Sequence, residues 1–169
     1  MVEIDIERAD ELSAVDRDEL ADVLVACVDG GASLGFHAPL THSRARAWWE
    51  RFPGEGVILL VARQNDRIVG TVQLQSAESA NGSHRGEVCK LLVHPDARRQ
   101  GIGLALMAAV ESEAQRAGKT LLVLDTREGD PSNDLYARAG FQQGGRIPNW
   151  ARDSAGVLSA TIFWYKLVG

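Results

Sequence analysis

Residues 87–103, which read EVCKLLVHPDARRQGIG, constrain the fold of this chain more than any other segment. An apolar run over 88–93 is followed by the turn former Pro95, two arginines and a pair of glycines. Apolar residues then recur at helical spacing, at Ile102, Ala105, Leu106, Ala109, Val110 and Ala114. The pattern predicts a strand, a basic glycine-rich loop and a helix, in that order.

The start of such a helix is a candidate anion site. It leaves about four backbone N–H groups without intrahelical acceptors and carries roughly half a positive elementary charge. Gly101 and Gly103 have no β-carbon to hold a ligand away, and Arg98, Arg99 and Gln100 add donors and charge. These features suit a phosphate or pyrophosphate, although Gly-x-Gly after a strand also occurs as ordinary turn chemistry.

Two familiar nucleotide motifs are excluded by spacing. The nucleoside triphosphate loop requires a lysine directly after its last glycine, and none follows here. The dinucleotide fingerprint requires a third glycine or alanine where this chain has Leu106.

The spacing Arg98-x-x-Gly101-x-Gly103, preceded by Leu-Leu-Val-His-Pro, resembles the coenzyme A motif of the GNAT superfamily of N-acetyltransferases. The resemblance implies that loop amides hold the coenzyme pyrophosphate and that the preceding strand pairs with the pantetheine arm through Leu91, Leu92 and Val93. A bulge in that strand would free one amide for the oxyanion. The expected coenzyme-binding loop residues are Arg98, Arg99, Gln100, Gly101, Ile102, Gly103 and Leu104.

A second motif, Leu-Tyr-Ala-Arg-Ala-Gly-Phe at 135–141, is similar to another GNAT segment. There the family has a short helix whose tyrosine lies near the coenzyme sulfur, which implies that Tyr136 is the general acid. Many members carry asparagine where this chain has Gly129. Asn133, three residues before Tyr136, is therefore expected to take over part of that coenzyme contact.

Composition indicates one globular domain over 1–169, with 45% apolar and 24% charged residues. A formal net charge of −5 disfavours nucleic-acid and anionic-membrane partners, and no apolar stretch approaches the roughly 20 residues that span a bilayer. The two isolated cysteines and the acidic N-terminus predict a cytoplasmic protein. Its histidines form no ligand cluster, so no metal is expected.

The resemblance to the GNAT family implies an α/β (α+β) fold of the GNAT type. We expect a mixed central sheet of six to seven strands flanked by about four helices. Strands are predicted over 2–7, 57–62, 67–75, 88–93, 120–124, from 141 onward and over 161–167. Helices are predicted over 12–28, with Val15 on the buried face, over 44–51 after a Ser43 cap, from 102 to a stop at 118, and over 132–139.

Two short strings resemble one branch of the family. Gly-Ala-Ser-Leu-Gly-Phe at 31–36 and Leu-Asp-Thr-Arg-x-Gly-Asp at 124–130 are similar to tabtoxin-resistance enzymes. That resemblance implies acetylation of an amine on a small toxin.

Acyl transfer from a thioester to an amine requires that the amine lose its proton. Glu87 and Asp125 are the candidate bases, with a slight preference for Asp125 because it leaves the sheet beside the place where family substrates bind. Either carboxylate would need partial desolvation to titrate near working pH. Bulk water is a third acceptor for the proton.

Phe36 and one of Trp48 or Trp49 lie in the region that lines the acceptor pocket in related folds, and Trp48 is taken as the candidate. Adjacent tryptophans on a helix point about 100° apart, so both cannot face inward. One packing on the sheet and the other lying under a loop is the somewhat preferred interpretation.

The leading hypothesis is an acetyl-CoA-dependent N-acetyltransferase that acts on a small primary amine. An acetyltransferase of protein or peptide amines and a coenzyme A-binding sensor without turnover are the alternatives. The late strands are the candidate surface for a homodimer.

Overall fold

The computed structural model describes residues 3–32, 34–52, 54–153 and 155–169. These residues form one sheet with α-helices on both faces. The strands are β1 (Asp5–Arg8), β2 (Val57–Gln64), β3 (Arg67–Ser76), β4 (Arg85–Val93), β5 (Leu121–Arg127), β6 (Gln142–Arg152) and β7 (Leu158–Leu167). The helices are α1 (Ala14–Asp29), α2 (His42–Trp49), α3 (Ile102–Arg116) and α4 (Ser132–Arg138).

The seven strands follow the order β1-β2-β3-β4-β5-β7-β6. All neighbours are antiparallel except β4 and β5, which are parallel. The mixed sheet and its helices confirm the predicted fold class. The segment over 120–124 is an interior strand as predicted, with Leu122 and Leu124 buried and Leu121 and Val123 only partly covered.

Two core clusters lie on opposite faces of the sheet because side chains alternate along each strand. In β2, Leu60 belongs to the cluster around α3, whereas Leu59 belongs to the cluster around α1 and α2. Trp49 of α2 has no exposed surface, and its indole N–H donates to the Leu20 carbonyl at 3.0 Å. Trp48 is only partly buried, so the preferred interpretation of the tryptophan pair is confirmed.

The β2–β3 connection is the tight hairpin that the Asn65-Asp66 pair predicts. Both residues have left-handed backbone angles, with φ of 51° and 63°. Two successive positive φ values are typical of a two-residue hairpin turn whose twist matches that of the flanking strands. The turn therefore sets the register that brings β3 beside β4.

Three local predictions are wrong. Val15 is 63% exposed, because it lies nine residues from buried Leu24, which at about 100° per residue places the two on opposite sides of α1. The second helix begins at His42 after a Thr41 cap, whose hydroxyl accepts from the Arg44 amide at 3.4 Å. The first strand covers Asp5–Arg8 and not 2–7; residue 2 of the predicted range lies outside the described residues.

None of the helices in the described part of the chain is both long and apolar enough to cross a bilayer. Within the same residues, no group of three or more His, Cys, Asp or Glu side chains is arranged to hold a metal ion.

The start of α1 is stabilised by a partly buried ion pair. Asp16 accepts from the Ser13 amide at 2.9 Å and from Arg63 at 2.7 Å, and Ser13 in turn caps the Asp16 amide at 3.1 Å. Burial raises the pKa of Asp16, but the hydrogen bonds from Arg63 and Ser13 outweigh it and hold the pKa below 3.8. The ionised carboxylate therefore stabilises the fold above pH 3.8, and this contribution is lost as the pH falls through the lower folded pKa.

Asp16→Asn is expected to lower the free energy of unfolding at pH 7 by about 1 to 2 kcal/mol. The difference from wild type should shrink as the pH falls below about 4, where the wild-type carboxylate becomes protonated. Chemical denaturation across this pH range measures both effects. Asp10→Asn, which removes an exposed pairing with Arg8, is the matched control and should change stability by less than about 0.5 kcal/mol. A pH-independent difference would contradict the assignment.

Candidate active site

The sheet opens between its two parallel strands. β4 pairs with β3 along most of its length, but it pairs with β5 only from Arg85 to Glu87, opposite Leu121 to Val123. Beyond this register the two strands have no shared ladder, and a cavity of about 1210 Å³ lies between them. We call this cavity the wedge. One strand edge of β4 therefore faces a ligand-sized space.

A β-bulge interrupts β4 where it lines the wedge. Cys89 pairs with Gln73 and Leu92 pairs with Thr71, so β4 has one extra residue over this interval. Lys90 has a left-handed φ of 52°, and neither it nor Leu91 has a paired residue in β3. The bulge implied at 91–93 lies at 90–91, so it overlaps that range at Leu91.

The glycine loop joins β4 to α3 at the other end of the wedge. Arg99 and Gly101 both have left-handed φ values, 61° and 83°. The helix has no side-chain cap, and the Ala105 amide donates to Gly101 at 3.0 Å. The amides of residues 102–104 therefore have no intrahelical acceptor, and residues 101–104 line the wedge. The geometry fits a diphosphate bound by main-chain donors at a helix start.

The two loop glycines have different reasons to be glycine. A β-carbon on Gly101 would meet no atom within 4 Å, so its backbone angle is the constraint. A β-carbon on Gly103 would lie 2.5 Å from Leu135 Cδ1, so this glycine allows α3 and α4 to approach closely. Gly103 therefore also has a packing reason to be glycine, beside the clearance for a ligand that the sequence predicts.

The polar side chains of the loop divide into two groups. Arg98 and Arg99 line the wedge, and Arg98 is held there because its Nε donates to the Val93 carbonyl at 3.1 Å. Gln100 does not line the wedge, and its side chain accepts from Gln64 at 2.8 Å. The side chain of Ile102 is buried in the core, which leaves its backbone for a ligand. Arg98 and Arg99 are therefore the cationic side chains at the loop.

Tyr136 reaches the wedge from α4. Its side chain is 8% exposed and packs near the rings of Phe141 and Trp164, with centroids 6.3 and 6.4 Å away. Burial raises the pKa of Tyr136 to about 12, against a smaller opposing effect of the Ser132 hydroxyl. The phenol is therefore protonated at neutral pH and can donate a hydrogen bond or a proton.

Asn133 does not line the wedge, contrary to the coenzyme contact expected of it. Its amide nitrogen donates to the carbonyls of Arg127 and Asp130 at 2.9 and 2.8 Å. Its oxygen accepts from the Trp164 indole at 3.1 Å. Because both N–H groups are used inside the protein, Asn133 anchors α4 to the end of β5 and to β7, and so positions Tyr136.

The two candidate bases both line the wedge. Asp125 accepts from the Thr161 hydroxyl at 2.8 Å, and Glu87 lies where β4 and β5 begin to separate. Both carboxylates are solvent-exposed. Glu87 and Asp125 therefore place two anionic groups at the wall of the wedge.

The two aromatic candidates for the acceptor pocket lie behind its wall. Phe36 and Trp48 stack edge to face with centroids 5.9 Å apart, and Trp48 also contacts Phe52 at 4.9 Å. Neither lines the wedge. Trp48 lies next to the wedge residue Lys90, whose ammonium is 5.6 Å from the ring centre.

Lys90 and Trp150 are among the wedge residues that the sequence did not identify. Lys90 is the only charge within the apolar run 88–93, and this is the signal that could have identified it. Trp150 of β6 is 51% exposed and lies at the wedge, packed against Phe163 at 5.4 Å. No local pattern marks Trp150, because it enters the site through the pairing of β6 with β7.

A family model described as "Acetyltransferase (GNAT) family" matches residues 18–141. The chain belongs to the GNAT family. It is therefore an acetyl-CoA-dependent N-acetyltransferase, and the family named by the glycine loop and the Tyr136 motif is confirmed. The narrower tabtoxin-resistance resemblance includes Ser33, which lies outside the described residues.

Curated relatives agree with the GNAT assignment. The chain is 32% identical to an uncharacterised N-acetyltransferase from the hisH-hisA intergenic region of Azospirillum brasilense, over 76% of this chain and 78% of that protein. It is 37% identical to the mycothiol acetyltransferase of Kineococcus radiotolerans, over 79% of this chain but only 40% of that protein.

Solved structures share the GNAT fold at low sequence identity. The structure of Salmonella typhimurium yncA with its cofactor acetyl-CoA superposes with a TM-score of 0.81 at 20% identity, covering 98% of this chain and 94% of that one. Ribosomal-protein-alanine N-acetyltransferase from Brucella melitensis gives a TM-score of 0.81 at 21% identity, covering 96% and 99%.

Proposed function

We propose that this GNAT enzyme transfers an acetyl group from acetyl-CoA to the primary amine of a small molecule, with Tyr136 protonating the departing thiolate. The observation that carries the proposal is the wedge itself. It connects the glycine loop at 101–104, the open edge of β4, Tyr136 and Asp125 in one cavity.

Main-chain groups would make most of the contacts that hold acetyl-CoA. Amides of residues 101–104, with Arg98 and Arg99, would hold the diphosphate, and the unpaired edge of β4 at Leu91, Leu92 and Val93 would hold the pantetheine arm. The bulge at 90–91 supplies amides that β3 does not pair, and these are suited to the oxyanion. Acetyl-CoA supplies the activated thioester.

Side chains of the wedge would then transfer the protons of the reaction. As the amine nitrogen bonds to the acetyl carbon and the carbon–sulfur bond breaks, Tyr136 gives a proton to the sulfur and is reprotonated by solvent. The proton of the amine passes to Asp125, to Glu87 or to bulk water. Asp125 is the preferred acceptor because Thr161 orients it at the mouth of the wedge.

A small acceptor molecule suits the shape of the wedge near Lys90. Lys90 donates to the Leu34 carbonyl at 2.9 Å, which ties the segment after α1 to the sheet at the wall of the wedge. An extended peptide needs an open groove, whereas small ligands occupy concave and largely enclosed sites.

Two measurements test the proposal. Calorimetry should show heat of binding for acetyl-CoA, and thiol release should exceed background for members of a panel of small amines. Release only with peptide or protein amines would select the alternative acceptor class. Binding without release for any acceptor would indicate a sensor. No heat with either acetyl-CoA or free coenzyme, on folded protein, would refute the assignment.

We also propose that the protein forms a homodimer in which β6 is covered. The proposed location is the cytoplasm, which is a reducing compartment. All residues of this edge strand are exposed, including Ile147 and Trp150, and an uncovered edge of 11 residues would invite non-specific pairing. Cys27 and Cys89 are free thiols, as expected in a reducing compartment. Sedimentation of wild type and Ile147→Lys tests the interface: a monomer at all concentrations for wild type would remove it.

A further inference from the structure

Lys90 is a cationic side chain built into the wall of the wedge. The bulge places Lys90 outside the regular alternation of β4, and its side chain extends over the ring of Trp48. Its ammonium donates to the Leu34 carbonyl at 2.9 Å. Lys90 and Leu34 both line the wedge, so this contact lies at its wall.

The charge of Lys90 is not neutralised by the protein. Among the described residues, no carboxylate oxygen lies within 4.0 Å of this ammonium, and Asp125 and Glu87 act on it only from a longer distance. An ammonium has three donors, of which the Leu34 carbonyl uses one. Burial lowers the pKa of Lys90, which indicates that the site holds its cation at a cost. An anionic group of a ligand would remove that cost.

The positions of Lys90 and Asp125 indicate which class of acceptor molecule the wedge would bind. Lys90 adjoins the bulge at Leu91, whereas Asp125 stands on the β5 side of the wedge. A molecule bound between them meets a cation on one wall and an anion on the other. An amine that also carries a carboxylate, as an amino acid does, matches both.

Resting on the proposed function, we propose that the acceptor is an amino acid or a close analogue, and that Lys90 binds the carboxylate next to its reacting amine. The aromatic ring of Trp48 and the Leu34 carbonyl hold Lys90 in place from behind. Lys90 is thus the residue that selects the acceptor.

Matched acceptor pairs test this assignment. Thiol release is measured with acetyl-CoA for amino acids and for the same molecules without the carboxylate, such as L-methionine with 3-(methylthio)propylamine and L-phenylalanine with phenethylamine. Wild type should prefer the carboxylate-bearing members by tenfold or more in kcat/KM. Lys90→Met, which keeps the length without the charge, should lower that preference tenfold or more. Lys90→Arg should retain most of it.

Binding of acetylated products gives a readout that does not depend on turnover. Calorimetry compares N-acetyl-L-methionine and N-acetyl-L-phenylalanine with the corresponding N-acetylated amines, for wild type and Lys90→Met, after thermal unfolding shows that both are folded. A carboxylate preference in wild type that disappears in Lys90→Met supports the inference. Equal binding of both members by wild type, or an equal loss for both members in Lys90→Met, overturns it. Release from carboxylate-free amines alone would leave the acetyltransferase assignment intact while refuting the role of Lys90.

Discussion

Tyr136→Phe is expected to lower kcat for acetyl transfer by tenfold or more, which is within the usual range for loss of a general acid. The Kd of acetyl-CoA should change less than threefold. The variant removes only the hydroxyl, since the ring packing against Phe141 and Trp164 is kept. Stopped assays of thiol release together with calorimetry separate the two quantities.

The pKa values in the wedge decide whether this proton transfer is feasible. A thiol in water has a pKa of about 8.5, so a phenol with a pKa of about 12 would give up its proton at a cost of roughly 5 kcal/mol. The wedge also disfavours thiolates, because burial raises the pKa of Cys89 in its wall to about 11. A departing thiolate shielded from water in the wedge is a stronger base than in water, which narrows this difference in pKa.

The pH dependence follows from the same values. The acid form of Tyr136 is the active one, and it is lost only as the pH rises through about 12. We therefore expect no fall in kcat between about pH 7 and pH 10 that depends on this hydroxyl. Tyr165→Phe is the matched control, because the other tyrosine of the chain bonds to Gln142 at 2.9 Å outside the wedge. A similar rate loss in both variants would show that the effect is not local to Tyr136.

Gly101→Ala is expected to weaken acetyl-CoA binding by tenfold or more. Gly101 has φ of 83°, and an alanine forced into the left-handed region costs roughly 1 to 2 kcal/mol. There is room for the methyl group, so the effect should come from the backbone and not from a clash. If residue 101 relaxes to a negative φ, the amides of residues 102–104 no longer point together toward the bound diphosphate. Titration with acetyl-CoA measures the loss.

The same helix offers a control at its other end. Gly118 has φ of 70° and equally open surroundings, but it does not line the wedge. Gly118→Ala should lower the free energy of unfolding by a similar amount, about 1 kcal/mol, while leaving the Kd within twofold. If both variants weaken binding equally, or if Gly101→Ala binds normally, main-chain recognition of the diphosphate at this loop is wrong.

Local chemistry made most elements predictable from the sequence. The left-handed turn at Asn65-Asp66 and the helix stop at Gly140 need only their own residues and immediate neighbours. The start of α2 was misplaced because Thr41 and Ser43 are both good caps, and only the packing of Trp49 against α1 decides between them. Capping preference is a local quantity, whereas the position of a helix along its partner is not.

The sequence by itself determined the order of strands and helices along the chain, the family, and the candidacy of residues 98–104 and Tyr136 for the site, because periodicity and turn chemistry are read over a few residues. Only the tertiary structure decided that β4 and β5 separate after Glu87 and Val123, that Asn133 is used inside the protein, and that Lys90 lines the wedge without an ion-pair partner among the described residues. Each of these depends on groups far apart in the chain. The spacing of residues along one strand cannot show which strands pair with it or where that pairing ends.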